Sequence, residues 1–467
     1  MAVRFFNTYS RELEEFRTID IDGRGVKMYT CGPTVYSYAH IGNFRAYLFE
    51  DLLQRHLELR RYEVDRVMNI TDVDDKTIRG CREAGVPLTT FTQQFKDAFF
   101  ADLDTLRIKR ANSYPAATDP WHVDRMIEMI GVLMERDLAY QAEDRSVYYR
   151  IKNFPEYGKL AHFNLDELQS TGRVKNDEYE KESIGDFALW KAWDEADGDV
   201  HWESPWGRGR PGWHIECSAM STQLLGDQLD IHCGGVDNIF PHHEAEIAQT
   251  EGCTGKQFVR YWLHCAHLLV NGQKMSKSLG NFYTLRDLLE KGYSGREARY
   301  ALMRVHYRSQ LNFTWEGMEE ARTALARIDD WLARLRAKAA EHQLPPTYPT
   351  ATGFAEALDD DLNISAALGF LFETIRDANR ALDAGEMDAG AARGWIEWWN
   401  ETDRVLALTA DETALPAEVT SLAEARVQAR LAKEWRKSDE LRDQLATLGW
   451  EVRDTKDGQT ITKRGGV

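Results

Sequence analysis

The sequence predicts an α/β protein: a Rossmann-like parallel sheet interrupted by an insertion, followed by a mostly helical C-terminal half. Three observations carry this. First, VKMYTC (26–31) reads as a buried strand, GPTVYSYAHIGNFRAYLFEDLLQRHLELR as a Gly/Pro turn and an amphipathic helix, and RYEVDRVMNITDVDDK as a second strand and an acidic loop. Strand, turn, helix, strand is a βαβ unit, which implies parallel pairing with a right-handed crossover. Second, QLDIHCGGVDNIF reads as a strand, a Gly-rich turn and a helix start, and QFVRYWLHCAHLLVNGQKMSKSLGN as strand material ending in a flexible Lys/Ser loop. Third, from Tyr283 onward the pattern is almost entirely helical, as in EGMEEARTALARIDDWLARLRAKAAE, until two short strands close the chain.

These patterns divide the chain into a split Rossmann-like unit (1–114 and 226–284), a connective insertion rich in Trp, Gly and Asp (115–225), a helical region (285–345), a helical bundle (346–418) and a small α/β unit (419–467). HQLPPTYPTATG is the clearest linker. A length of 467 residues fits several domains. No run approaches the roughly 18 apolar residues that a membrane span needs. The N-terminal MAVRFFNTYSRELEEF lacks the apolar core of a signal peptide. A cytoplasmic protein without a membrane partner is expected.

The six cysteines, Cys31, Cys81, Cys217, Cys233, Cys253 and Cys265, are scattered without a C-x-x-C pair. In a long cytosolic chain that argues against disulfides and against a zinc ribbon, and leaves cysteines available as metal ligands from distant segments. The net charge of −18 argues against a general nucleic-acid coat. A specific RNA partner remains compatible, because a local basic face binds phosphates on an acidic protein. Lys291 to Arg308 carries five Lys/Arg and one acid, and Glu424 to the C-terminus ten Lys/Arg against eight acids. Solvated helix faces are the plain alternative for both.

Two short motifs carry chemistry. In HIGN (40–43) a strand hands over to a helix, whose N-terminus offers unpaired N–H groups to a phosphate. The His40 imidazole donates to a phosphoryl oxygen, and Gly42 admits a nucleotide close to the backbone. In KMSKS (274–278), Lys274 and Lys277 stand three apart on a loop flanked by Gly272 and Gly280, suited to neutralise a leaving pyrophosphate. No P-loop is present. This pair, separated by roughly 230 residues after a βαβ start, resembles the signature of class I aminoacyl-tRNA synthetases.

DNIFPHHEAEIAQ (237–249) reads as the start of a helix, where residues four apart share a face. His242 and Glu246 have that spacing, whereas His243 and Glu244 point elsewhere. A tetrahedral zinc needs two further ligands, for which Cys31 and Cys217 are candidates. YTCGPTVYSYAHIGNFRAY, NITDVDDK, SPWGRGRPGWHIECSAM, DIHCGGVDNIFPHHEAEIAQ, KMSKSLGN and HYRSQLNFT together resemble cysteinyl-tRNA synthetases, from near residue 5 to the last strand. The resemblance implies one Zn²⁺ per chain, held by Cys31, Cys217, His242 and Glu246, to which the substrate's thiolate binds directly. A borderline-soft metal prefers thiolate to hydroxyl, so it separates cysteine from serine, which pocket shape discriminates weakly. No long extra insertion is present to house an editing domain.

The same resemblance implies that Thr34, Thr71, Trp213, His232 and Asp237 surround the amino acid, with Trp213 as a wall and Asp237 on the α-ammonium group. Core packing is the alternative for Trp213, and helix N-capping for Asp237 or Thr71. His40, Gly42, Asn43, Lys274, Ser276 and Lys277 would contact ATP, accompanied by Mg²⁺, with His40, Lys274 and Lys277 catalytic. The family's first motif usually ends in histidine; Asn43 keeps a hydrogen-bonding side chain there. Cys233 adjoins His232 but reads as a Gly-rich turn position.

The implied activity is ATP-dependent activation of L-cysteine to cysteinyl-adenylate, then transfer to the 3′ end of tRNA(Cys) by a monomer. No general base for transfer stands out. The basic stretch around Arg296 to Arg308 would meet the acceptor stem, making 285–345 a stem-contact region. The last unit would read the anticodon through Arg430, Trp435 and Asp439, with Trp435 as a stacking platform or, alternatively, a core-covering residue. Two rivals differ in outcome. An ATP-dependent cysteine ligase acting on an amino sugar would not need 419–467. A silent zinc-bearing RNA-binding module would have damaged nucleotide motifs, whereas His40, Gly42, Lys274 and Lys277 are all present.

Overall fold

A computed structural model describes residues 2–163, 186–411, 417–455 and 458–463. The expected insertion thus lies partly outside the described residues, at 164–185, as does the end of the expected C-terminal unit. The strand Gly25–Thr30 buries side chains on both faces, as a strand inside a parallel sheet must. Val26 and Met28 pack with Phe49 and Leu53 on one side, and Tyr29 with Cys217 and Trp262 on the other. It pairs in parallel with Glu63–Met68 along one edge and with Leu229–Gly235 along the other, and Val259–Cys265 lies parallel outside Leu229–Gly235. The helix Ile41–Leu59 makes the first crossover. The chain leaves Gly25–Thr30 towards one edge and later returns on its other side. That is a topological switch point, and its crevice opens beyond the carboxyl ends of Gly25–Thr30 and Leu229–Gly235.

Between these halves, Ala139–Gln141, Val147–Tyr149, Phe187–Ala192 and Gly209–Pro211 form an antiparallel sheet. Asp75, from the acidic loop, holds it by pairing with Lys191 (3.0 Å) and Arg210. The helices Pro120–Glu135, Trp213–Leu225 and Glu244–Thr254 share one core with the parallel sheet.

Two local readings need correction. Cys233, Gly234 and Gly235 are not a turn but the end of the strand Leu229–Gly235, with Cys233 buried against the Met28 side of the sheet. Glycine is required there by neighbours: a Cβ at Gly234 would come within 2.8 Å of the His243 ring and of Asn238. The helix also starts later than its sequence pattern indicates. Val236–Asn238 is a 3₁₀ turn, Ile239–His243 a π turn with Phe240 extended, and regular helix begins at Glu244. The cause is Pro241, whose ring excludes the preceding residue from the α region.

Beyond Tyr283 the helices Leu285–Glu290, Gly295–Met303, Trp315–Ala340, Gly353–Asp359, Ile364–Asp383 and Ala389–Leu406 continue the core that starts at Ile41 and Leu48 of the helix Ile41–Leu59 and reaches Trp331 and Trp399. Among the described residues before the closing hairpin, the helical expectation is broken by Leu311–Phe313, which pairs in parallel with Leu268–Val270. Ala417–Leu431, Trp435–Thr447 and the hairpin Trp450–Thr455 with Gly458–Lys463 close the chain. No helix among the described residues is long and apolar enough to cross a membrane.

Of the arginines between 296 and 308, Arg299 is buried, Arg296 and Arg304 are partly exposed and Arg308 is exposed, and each is paired within the chain. Arg299 is fully buried; it donates to Asp51 (2.6 Å), to the Leu406 carbonyl (2.6 Å) and to the carbonyls of Leu106 and Arg107 (both 3.1 Å). Arg296 holds Asp329 and the Leu408 carbonyl, Arg304 holds Glu320, and Arg308 holds Asp361. Arg55 and Arg107 add bonds to the carbonyls of Arg404, Ala407 and Thr409. The last carbonyls of a helix lack partners and carry partial negative charge, so cations collect there. Here they cap Ala389–Leu406. Replacing Arg299 by methionine leaves the buried Asp51 with only Arg55 and the Lys109 N–H as partners, and takes a donor from several carbonyls. The expected loss is about 3 kcal/mol, read as a shift of the urea unfolding midpoint; an unchanged midpoint would show that the clamp contributes nothing.

Candidate active site and metal centre

Cys31 directly follows the central strand, Cys217 stands on Trp213–Leu225, His242 in the π turn, and Glu246 in the first turn of Glu244–Thr254. Their ligand atoms all lie within 4.8 Å of one another. Glu246 is the centre of the group. One oxygen meets His232 Nε2 at 2.9 Å, and the other lies 3.1 Å from His242 Nε2 and 3.9 Å from His243 Nε2. That second oxygen, Oε1, is buried and accepts no hydrogen bond. Burial, with His214 and His232 nearby, holds the His242 imidazole well below its usual value. Burial raises the Glu246 carboxyl, although His232 opposes the rise. Cys31 is pushed up by its hydrogen bond to Cys217 and by burial, and Cys217 by burial. Two thiols, neutral imidazoles with lone pairs and an unsatisfied carboxylate oxygen form a donor set that fits a borderline-soft divalent cation, whose binding displaces the thiol protons.

The neighbours of this group are only partly those the sequence indicates. His243 does not point away. Its Nε2 lies 3.3 Å from Cys31 Sγ, because it stands three residues before Glu246, also on the shared face, and the π turn swings it inward. Glu244 does point away, accepting from the N–H groups of Gly158 (2.7 Å) and Ala161 (2.9 Å). Sequence reasoning missed His214, His264 and Thr8. His214 Nδ1 meets His242 Nδ1 at 2.8 Å. His264 Nε2 meets His243 Nδ1 at 2.8 Å, and its Nδ1 meets Thr8 Oγ1 at 2.8 Å. The one available signal was position: His214 adjoins Trp213, and His264 stands two residues after Trp262 on the same strand face.

Trp213 is 46 % exposed and stacks on His242 with ring centres 4.2 Å apart, which is not core packing. Asp237 is exposed in the 3₁₀ turn that follows Leu229–Gly235. Thr34 and Thr71 are bridged backbone to backbone, and the buried Thr71 hydroxyl donates to Glu216 (2.8 Å). N-capping belongs to neither Thr71 nor Asp237; Asp74 caps Asp75–Ala84 instead. His232 is fully buried in its strand, paired in register with Tyr29, so it supports Glu246 from behind. Gly32 is forced by a close approach: a Cβ would fall 1.7 Å from the Asn69 carbonyl.

The HIGN and KMSKS segments meet. His40 is the N-cap of Ile41–Leu59. Its Nδ1 accepts from the Asn43 N–H (3.1 Å), and Asn43 Oδ1 accepts from the His40 N–H (3.1 Å). This reciprocal capping box gives Asn43 a structural duty and turns Nε2 of His40 away from the helix. The KMSKS loop packs over the same end: a Cβ on Gly42 would lie 3.0 Å from the His40 ring and 3.2 Å from Met275 Cε, Phe282 stands edge-on to His40, and the Tyr283 carbonyl accepts from the Ile41 N–H. Lys274 is exposed; Asn281 pins the loop through Ser276 N–H and the Lys274 carbonyl. Lys277 opens the turn Lys277–Leu279, and its side chain lies outside what the structure describes. Far from this crevice, Trp435 is 59 % exposed at the start of its helix. Arg430 pairs with Asp454 (2.8 Å) and Asp439 with Arg442 (3.2 Å).

Comparison with known proteins agrees along the whole chain. Residues 18–323 match the family of tRNA synthetases class I (C) catalytic domains, 353–408 the DALR domain, and 412–461 the cysteinyl-tRNA ligase anticodon binding domain. The cysteine–tRNA ligase of Protochlamydia amoebophila is 48 % identical over 99 % of this chain and 98 % of its own length; that of Chlamydia muridarum is 49 % identical over 99 % and 100 %. Among solved structures, Mycobacterium tuberculosis methionyl-tRNA synthetase with methionyl-adenylate has a TM-score of 0.61 at 16 % identity, covering 82 % of this chain and 88 % of its own. The LeuRS–tRNA–LeuAMS complex of Agrobacterium radiobacter reaches 0.60 at 12 % identity, covering 84 % of each chain. The structures share the fold; the sequence relatives and the domain matches go further, and the chain belongs to the cysteine–tRNA ligase family of class I aminoacyl-tRNA synthetases.

Proposed function

We propose that the chain activates L-cysteine with ATP and passes the cysteinyl group to the 3′ end of tRNA(Cys), acting in the cytoplasm as a monomer. One observation carries the amino-acid choice: Cys31, Cys217, His242 and Glu246 converge at the switch-point crevice, on the strand end that also leads into HIGN. A zinc ion bound by these four would supply a soft acid that prefers a substrate thiolate to a hydroxyl. Trp213 walls the pocket from its stack on His242, and Asp237, exposed beyond the next strand, suits the α-ammonium group. Thr34 and Thr71 line the facing strand end through their backbone bridge.

For activation, the cysteine carboxylate attacks the α-phosphorus of ATP, pyrophosphate leaves, and cysteinyl-adenylate remains. The N-terminus of Ile41–Leu59 and His40 Nε2 face phosphoryl oxygens, Gly42 admits the nucleotide, and Asn43 fixes the His40 ring through the capping box. Lys274, Ser276 and Lys277 serve the departing pyrophosphate, with Mg²⁺ accompanying ATP. Catalysis is then positioning and charge stabilisation, without a covalent enzyme intermediate. In the second step a terminal ribose hydroxyl of the tRNA displaces AMP. The unit from 419 onward reads the anticodon, with the exposed Trp435 indole as stacking platform and Arg430 and Asp439 as further RNA contacts.

ATP–pyrophosphate exchange tests the activation step. Cysteine supports exchange, serine supports it more than about 100-fold less well, and a zinc chelator abolishes it. Comparable exchange with serine, or indifference to the chelator, would overturn the substrate assignment. For the RNA end, Trp435→Ala raises the KM for tRNA about 5- to 150-fold, the equivalent of one lost base stack of about 1–3 kcal/mol, and leaves pyrophosphate exchange intact. Equal losses in both assays would make Trp435 merely structural.

A further inference from the structure

We propose that the metal centre offers its cation a second, overlapping position, held by Cys31, His232, His243 and Glu246. The inference rests on the reading above only in placing a divalent cation in this centre. The four ligand atoms of this second set also lie within 4.8 Å of one another. A tetrahedral ion with bonds of about 2.0–2.3 Å separates its ligands by about 3.3–3.8 Å, so either set closes around an ion with movements of about an ångström. Both sets use Cys31 and Glu246. One ion therefore occupies one set at a time, and passes between them by exchanging Cys217 and His242 for His232 and His243.

The two added histidines are built like metal ligands. Each turns Nε2 towards the centre: His232 to Glu246 at 2.9 Å, His243 to Cys31 at 3.3 Å. Each has Nδ1 against an acceptor, His232 at the Cys233 carbonyl (3.3 Å) and His243 at His264 Nε2 (2.8 Å), which is itself anchored on Thr8. Such a far-side partner fixes the ring and the tautomer of a ligating histidine. Charge favours the second position as well. Two thiolates and a carboxylate leave a divalent ion with net charge −1, whereas one thiolate and one carboxylate leave it neutral. In a site whose ligands other than Cys31 are all buried an uncompensated charge is costly. The first position has the softer donors and the second the better charge balance.

Co²⁺ binding to the zinc-stripped full-length chain distinguishes them. In the double variant C217A/H242A, which removes both ligands exclusive to the first set, one Co²⁺ per chain is still expected. Its thiolate-to-cobalt absorption falls to about half that of the unmodified chain, because a single thiolate remains. Adding H243A abolishes binding. Circular dichroism and thermal melting report whether each variant is folded, and C217S/H242Q, closer in volume, repeats the measurement should the alanine pair unfold. A folded double variant that binds no Co²⁺, or one whose binding survives H243A, overturns the second position. An unmodified chain that binds no Co²⁺ removes the functional reading along with it.

Discussion

The site depends on the need of one buried carboxylate for positive charge. Glu246 sits among three imidazoles that supply hydrogen bonds and lone pairs, and one of its oxygens accepts nothing. A carboxylate taken out of water must be protonated, paired or bound to a metal. Among the described residues the cationic partners within ion-pair distance of Glu246 are histidines, and two thiols stand beside it. That choice of neighbours makes a cation the natural partner, and makes sulfur the natural language of the pocket. The parallel register that sets Tyr29 opposite His232 fixes the strand ends from which Cys31 and the π turn depart. The ligand geometry is therefore inherited from the sheet.

A single helix links this chemistry to the far half of the protein. Ile41–Leu59 begins with the capping box at the nucleotide site, and at 19 residues it is about 28 Å long. Near its other end, Asp51 and Arg55 bind into the arginine cluster that caps Ala389–Leu406. The segment that precedes the C-terminal unit is thus fixed to the same rod that carries His40. The carbonyls of a helix end, usually left to water, are here spent on holding two regions in a set relation.

Much of this was legible in the sequence, and the failures have physical causes. The βαβ start, the two nucleotide motifs and the i, i+4 spacing of His242 and Glu246 depend on local periodicity, which sequence displays directly. His242 and Glu246 meet even though regular helix begins only at Glu244, because the preceding π turn stays compact. The i, i+4 criterion alone overlooks His243, which stands three residues before Glu246 and so shares its face as well. The glycines after Cys233 suggest a turn, but their smallness accommodates His243 and Asn238 above a strand. The intramolecular partners of the arginines at 296–308 were not legible, because charge counts carry no information about pairing; Asp51, Asp329 and the carbonyls near residue 406 are far away in sequence. His214, His264 and Thr8 join the centre through register, which pairwise proximity in the chain does not reveal.

The fourth and third residues of HIGN are under unequal constraint. Position 43 asks for a side chain that can accept from the His40 N–H, and more than one amino acid satisfies that. Position 42 is squeezed from two directions, by the His40 ring and by the Met275 methyl group. Even one added carbon there would act as a wedge, prising the lysine loop off the helix it closes on. The two motifs are thus halves of a clasp whose fit is measured in tenths of an ångström, and the smallest residue is the one that lets it shut.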